Sequence, residues 1–386
     1  MPVMTARSRM EKHRASTPLE LFFDLCFVVA VAQAGTRLVH AVAEGHPFTG
    51  VGGYAAVFFA IWWAWVNFSW FASAYDTDDP LYRVVTLVQI TGVLILAAGV
   101  PRAFDAGDWT VVVIGYVVMR IALTSQWLRA AHCTRGAERR VALRYTVGIA
   151  VVQLGWVAML LLPDGTSGAA RAAVFVVLAL AEMSVPAIAE RDRPTSWHPH
   201  HIGERYGLFT IIVLGETIAS ATVAVQEALD EHEALGELLP IAAGGLLIVF
   251  SAWWIYFAVP IHDYLRGSRE AFIWGYGHYL VFGSAAAIGA GIEVAVEEAV
   301  GKAHVSTGAA AAAVTVPSAL FLLTVWALHA RHFKRDLAEQ LPLPMAALAI
   351  LGCTSAGAWA VFVAGLVAAA AVAAGVLLSR RPVPVG

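Results

Sequence analysis

The stretch "TPLELFFDLCFVVAVAQ", residues 17–33, has the apolarity of a membrane helix, yet it carries Glu20 at its mouth and Asp24 one turn further in. Thr17, Pro18 and Glu20 spell a capping box with proline at the first helical position, which accounts for an acid at the helix entry. Capping does not reach Asp24, which lies roughly 6 Å deeper at 1.5 Å per residue. Glu20 and Asp24 share one helix face by their i, i+4 spacing, and Gln33 follows near the helix middle. Placing an aspartate at mid-helix costs about 2.5–3.5 kcal/mol even on the mildest insertion scales. Asp24 is therefore expected to face a polar interior rather than acyl chains.

The rest of the chain fits a membrane setting. Of 386 residues, 59% are hydrophobic and only 14% charged, against about a quarter charged in soluble domains. The basic start (Arg7, Arg9, Lys12, Arg14) leads into a long apolar run without a small-residue cleavage site, so no removable leader is expected. Cys26, Cys133 and Cys353 are widely separated and imply neither a disulfide framework nor a metal site. A hydrocarbon core about 30 Å thick needs roughly 20 apolar residues in a helix. That criterion gives about twelve spans: 19–40, 51–73, 82–100, 109–130, 141–162, 169–189, 205–226, 240–260, 271–296, 309–331, 343–355 and 358–379. The last two are short and separated only by Cys353–Gly357, so one broken helix is the other reading there.

Charge placement orients the spans. With both termini cytoplasmic, twenty of the 25 Lys and Arg fall on the cytoplasmic side, and the loop "QEALDEHEALGE" with five carboxylates falls outside. The polar, proline-broken stretch "ERDRPTSWHPHHIGER" divides the chain, and its two sides echo each other. Glu20 before "LFFDL" answers Glu204 before "RYGLF", and "WWAWVNF" (62–68) answers "WWIYF" (253–257). The expected fold is thus an all-α polytopic membrane protein of two parallel six-helix repeats. Its parts are a cytoplasmic segment 1–16, a first repeat 17–189, a linker 190–204, a second repeat 205–379 and a cytoplasmic tail 380–386.

Further polar groups fall at depths where lipid disfavours them. Glu216 follows Glu204 by twelve residues, about 18 Å along the axis, and so sits near the bilayer centre. Asn67 and Glu182 lie in the inner halves of their spans, and His278 lies within two turns of its helix entry. Arg120 needs a carboxylate, and Glu182 or Glu216 suits by depth. Trp62–Trp65 fall too deep for an interfacial belt, so packing or pocket lining is expected of them. Asp76, Asp78 and Asp79 read as an interfacial acidic turn and "HPHH" (198–201) as a solvated loop, so no metal is assigned. No HExxH, P-loop, G-x-S-x-G or dinucleotide fingerprint occurs, the cofactor is left open, and nothing supports nucleic-acid binding beyond ordinary cytoplasmic arginine.

The segments "ELFFDLCFVVAVAQ" (20–33), "WWAWVNFSWFASAYDTDD" (62–79), "HHIGERYGLFTIIVLGETI" (200–218), "WWIYF" (253–257) and "GYGHYLVFGSAAAIGAGIE" (275–293) together resemble the bacterial low-temperature-requirement A family. That resemblance implies a multi-pass protein of the bacterial plasma membrane linked by name to growth in the cold, without a defined reaction. The family often shows an aspartate after the "WWxYF" run, where this chain has Ala258. A fainter resemblance is to lysosomal potassium channels of two six-helix repeats, whose first helices carry a Phe-Ser-Asp motif. Phe22, Phe23 and Asp24 are similar to it, whereas the second repeat has Tyr206, Gly207 and Leu208.

Two functions follow as expectations. The first is a transporter or channel-like protein whose polar cavity takes a cation, a proton or a small polar solute. Asp24, Asn67, Glu216 and His278 would line it, with Glu20, Gln33, Glu182 and Glu204 nearby. The alternative is an intramembrane enzyme acting on a lipid or hydrophobic metabolite, with the same groups as acid and base and Trp63 and Trp254 shaping an apolar pocket. A structural scaffold is the plainest reading, and membrane lipid and a second copy (a homodimer) are the expected neighbours.

Overall fold

The computed structural model describes residues 4, 6–8, 11, 14–163, 165–232, 235–334 and 336–379. Arg9, Lys12, Arg335 and the tail 380–386 lie outside the described residues. Helix accounts for 85% of the chain, and no strand occurs among the described residues. Among the described residues eleven stretches are helical, long and apolar enough to cross a membrane. The chain is an all-helical protein of polytopic membrane character.

The helices run α1 (Pro18–Ala43), α2 (Pro47–Tyr75), α3 (Pro80–Asp105), α4 (Thr110–Cys133), α5 (Gly136–Met159), α6 (Gly168–Ala189) and α7 (Pro199–His232). They continue as α8 (Leu235–Tyr256), α9 (Ser268–Ala299), α10 (Thr307–Val325), the short α11 (Arg331–Phe333) and α12 (Leu337–Gln340), α13 (Pro342–Gly352) and α14 (Ala360–Ser379). Local chemistry sets the ends. Asp79, Ser167 and Ser306 each accept a backbone N–H of the following first turn, satisfying donors that a helix start leaves unpaired. At α1 the predicted capping box forms: Thr17 N–H donates to Glu20 Oε2 at 2.7 Å, and Glu20 N–H reaches Thr17 Oγ1 at 3.3 Å.

One boundary differs from the sequence reading. Helix α7 starts at Pro199 rather than near 205, because a proline without an N–H fits the first helical position. His200 and His201 therefore stand on a helix, not in a solvated loop. The final stretch, Leu337–Leu378, is a single apolar run of 42 residues interrupted by a tight turn at Cys353–Trp359. Gly357, at φ 61°, supplies the left-handed backbone that parts α13 from α14. Among the described residues the last of the membrane-length stretches is thus the broken run that the sequence allowed.

The chain forms two compact units. The first comprises Met1–Gln33 and Ala56–Tyr206; within it α3 packs on α4, α4 on α5 and α5 on α6. Backbone approach is close between α3 and α4, where a Cβ on Gly115 would stand 2.5 Å from Leu96 N and 2.6 Å from Gly92 O. Small residues at such crossings let helices gain van der Waals contact that lipid cannot supply. The second unit comprises Ala34–Ala55 and Gly207–Gly386; within it α9 packs on α10, α8 on α14 and on α9, and α10 on α13. Helix α2 has 83% of its apolar window buried, against 39% for α1. A helix that is apolar all round belongs inside a bundle, and α2 takes that place.

Candidate functional site

The first unit answers the question posed by Asp24. Arg205 Nη2 donates to Asp24 Oδ1 at 2.6 Å, and both side chains are fully buried. Trp65 Nε1 donates to the same oxygen at 2.7 Å, and Arg205 also reaches Ser69 Oγ at 3.1 Å. One turn earlier, His201 Nε2 lies 3.1 Å from Glu20 Oε1 and 3.3 Å from Oε2, again with both side chains buried. The two contacts form a ladder. Glu20 and Asp24 are spaced i, i+4 on α1, and His201 and Arg205 are spaced i, i+4 on α7. Equal spacing brings the rungs into register only if the two helix starts run parallel, and here they do.

Around the ladder lies a second layer of charge. Arg14 donates to the carbonyl of Ala72 at 2.7 Å and to that of Ser73, capping the end of α2, and lies 3.7 Å from Asp76. Arg7 stands 3.6 Å from the same carboxylate. Burial pushes the Asp76 carboxyl up to about 6, with the Glu20 charge adding to the effect and the two arginines opposing it. Burial also lowers the Arg14 guanidinium from its ordinary value. Tyr82 is buried within reach of Asp76, Glu20, Arg205 and Arg14. Several polar atoms here have no hydrogen-bond partner among the described residues: Asp24 Oδ2, Arg205 Nε and Nη1, His201 Nδ1 and Tyr82 Oη. Buried polar atoms left unpaired cost about 1–3 kcal/mol each.

Three tryptophans of α2 serve buried carboxylates. Trp63, Trp65 and Trp70 each aim an indole N–H at a different buried carboxylate, Glu182 (2.8 Å), Asp24 (2.7 Å) and Glu190 (2.7 Å). Glu182 also accepts from Trp156 at 3.2 Å and from Arg120 at 3.1 Å, so of the two carboxylates that suited Arg120 by depth, Glu182 is its partner. Glu190 takes further bonds from Tyr145 and Thr195, both at 2.8 Å, yet burial still raises its pKa. The acidic turn is held by its own cations: Asp79 caps α3 at Tyr82 N–H and pairs with Arg129, which holds its carboxyl down at about 2. Asp78 pairs with Arg83 at 2.8 Å on the surface.

The remaining residues singled out from sequence divide between the two units. Asp24 and Asn67 belong to the first unit, Glu216 and His278 to the second. Asn67 turns its amide back to the Trp63 carbonyl at 2.7 Å. Gln33 is half-buried at the edge of the first unit. Glu204 is half-buried and accepts from Ser16 N–H at 3.3 Å. Glu216 is half-buried with Ser220 Oγ at 3.3 Å, and Trp254 is half-exposed. His278 is fully buried in the second unit, with Nε2 2.9 Å from Tyr256 Oη and Nδ1 2.7 Å from the Trp274 carbonyl. His329 stands beside it on a π-helical turn, Trp326–Ala330, with ring centroids 5.5 Å apart. Among the described residues no cluster of His, Cys, Asp and Glu could hold a metal ion.

Sequence reasoning missed His201, Arg205 and Arg14. The signal for the first two was present: a basic pair at i, i+4 in "HHIGER" matches the acidic pair at i, i+4 in "ELFFD".

Apolar helices in this number, with charged ladders kept inside them, define a polytopic α-helical membrane protein with a buried ionisable centre. The chain belongs to the family of bacterial low temperature requirement A proteins, which it matches over residues 15–378. An uncharacterized protein of Rhizobium meliloti (strain 1021) is 26% identical over 298 residues, covering 72% of this chain and 68% of that relative.

Proposed function

We propose that the protein is a transporter or channel-like protein that moves protons, alone or coupled to a small cation or polar solute, through the Glu20–Asp24–His201–Arg205 ladder. The observation that carries this reading is Asp24 Oδ2 beside Arg205 Nε and Nη1, all buried and all without partners among the described residues. A proton on Asp24 removes the charge that holds Arg205. Glu20, whose charge also acts on Arg205, offers the guanidinium a second anion one turn away. Arg205 thus has two stations, and His201, next to Glu20, can take or give the proton at the mouth. Two discrete arrangements of one buried charge are what a switching transition requires.

The wider architecture belongs to the same reading. Repeats 17–189 and 205–379, joined by 190–204 and inserted parallel with both termini cytoplasmic, would each begin with one rail of the ladder. The parallel register of α1 and α7 supports that duplication. Arginines crowd the inner loops, which favours the plasma membrane of a bacterium with the ladder at its cytoplasmic side.

The test is proton uptake into proteoliposomes holding a pH-sensitive dye under an imposed potential. Wild type should acidify the lumen, while His201→Gln and Asp24→Asn should fall to the rate of protein-free vesicles. His201→Gln keeps an N–H donor for Glu20 and removes only the titrating ring. Wild-type uptake in both variants refutes the ladder as the path. A second reading, acid–base chemistry on an apolar substrate, draws on the Tyr256–His278 pair; it is favoured if uptake is absent from wild type and a lipid-like molecule copurifies against His278.

A further inference from the structure

In the second unit a half-open cleft of about 610 Å³ lies between Trp253, Trp254 and Phe257 at the end of α8, the small residues of α14 around Gly375, and Lys334 and Glu339 of the connecting segment. Its volume is in the range of ligand sites, roughly 300–1,000 Å³. The walls are apolar and the three aromatics remain 39–49% exposed, on helices whose apolar length fits a bilayer. A Cβ placed on Gly375 would meet nothing within 4 Å, so the trough along α14 is open space rather than a packing seam. At its mouth stands Lys334, just beyond the membrane-length stretch Thr307–Phe333.

The Lys334 ammonium is half-buried and has no ion pair among the described residues. Burial lowers its pKa, with the Glu339 charge opposing. Arg331, three residues earlier, is exposed, and the run "RHFKR" (331–335) carries three Lys or Arg and one His in the sequence. Basic groups immediately outside a membrane helix attract anionic headgroups, and a lysine stem lying along apolar walls keeps its charge at the interface.

We infer that this cleft is a binding site for one anionic phospholipid, its acyl chain lying against Trp254, Phe257 and the Gly375 trough and its headgroup phosphate meeting Lys334. A soluble anion needs no aromatic wall opening among lipid-facing helix sides, and a zwitterionic lipid gains less from an unpaired ammonium. The inference is independent of the proton path, since no ladder residue lines the cleft.

The experiment is native mass spectrometry of the delipidated, detergent-purified full chain, titrated with dioleoyl phosphatidylglycerol or dioleoyl phosphatidylcholine. Wild type should bind one phosphatidylglycerol more tightly than phosphatidylcholine. Lys334→Gln should weaken phosphatidylglycerol by about fivefold, the worth of one basic group near an anionic surface, and leave phosphatidylcholine unchanged. Gly375→Phe, which fills the trough, should weaken both lipids, with Trp254→Ala as the second variant if that chain does not fold. Equal affinity of wild type for the two lipids overturns the inference, as does an unchanged Lys334→Gln. Displacement of phosphatidylglycerol by excess inorganic phosphate overturns it too, since the site would then read a free anion.

Discussion

Asp24→Asn is the sharpest probe of the ladder. The amide is the same size and keeps an oxygen for Trp65 Nε1 and Arg205 Nη2, now 2.7 and 2.6 Å from Asp24 Oδ1. Only the charge is lost. Arg205 is then a fully buried guanidinium whose bonded partners, the amide oxygen and the Ser69 hydroxyl, are both neutral. Removing one member of a buried pair costs about 3–5 kcal/mol, because the other charge is left uncompensated, whereas replacing both by apolar groups is close to neutral. Asp24→Asn and Arg205→Met should therefore each destabilise by about 3–5 kcal/mol, and the double variant by less than either. The coupling should be about 2 kcal/mol or more, as befits residues in one network. The assay is equilibrium unfolding in mixed micelles with rising dodecyl sulfate, followed by tryptophan fluorescence. Asp78→Asn serves as control, since its pair with Arg83 is exposed and such pairs contribute about 0–1 kcal/mol. Additive losses in the double variant, or an Asp24→Asn chain as stable as the control, refute the claim that these charges depend on each other.

Further outcomes follow from the same contacts. Trp63→Phe and Trp70→Phe keep the apolar bulk but strip Glu182 and Glu190 of an indole donor, so each should lose about 1.5–3 kcal/mol, as for hydrogen bonds to charged groups, while half-exposed Trp253→Phe should stay within about 0.5 kcal/mol. Asp76, raised from 3.8 to about 6, holds its proton longer in the folded chain than in the unfolded one. Its effect is a loss of stability as pH rises between those values, and Asp76→Asn should flatten that limb of a melting-temperature profile. Asp79 has the opposite sign: held at about 2 against 3.8, it stabilises fully above the unfolded value, and that stability is lost as pH falls through about 2. Asp79→Asn should remove that acid-side slope in the same profile. Gly115→Val would put a side chain 2.5 Å from Leu96 N; it should part α3 from α4 and cost about 1–3 kcal/mol or more, read by dodecyl sulfate unfolding.

Much of the molecule was legible because its signals are local. Runs of about 20 apolar residues can span lipid only as helices, so the spans could be read from "ELFFDLCFVVAVAQ" onward without any knowledge of packing. The capping box at Thr17 and Glu20 closes through neighbouring residues and formed as read. Asp24 could be recognised as inward-facing from its cost in hydrocarbon alone.

Partnership is what the sequence alone could not decide. Asp24 was expected beside Asn67, Glu216 and His278 because all four are polar at depth, and depth says nothing of azimuth or of which helices touch. Folding joined Asp24 to Arg205, 181 residues away, and joined Glu20 to His201. It made Trp63, Trp65 and Trp70 donors for three separate carboxylates, where depth alone had left packing and pocket lining open for the first two. Hydrophobicity, acting through chain-local periodicity, selects helices and their lengths; the choice of partner for a buried charge is made by geometry between segments far apart in the chain, and only the packed structure contains it.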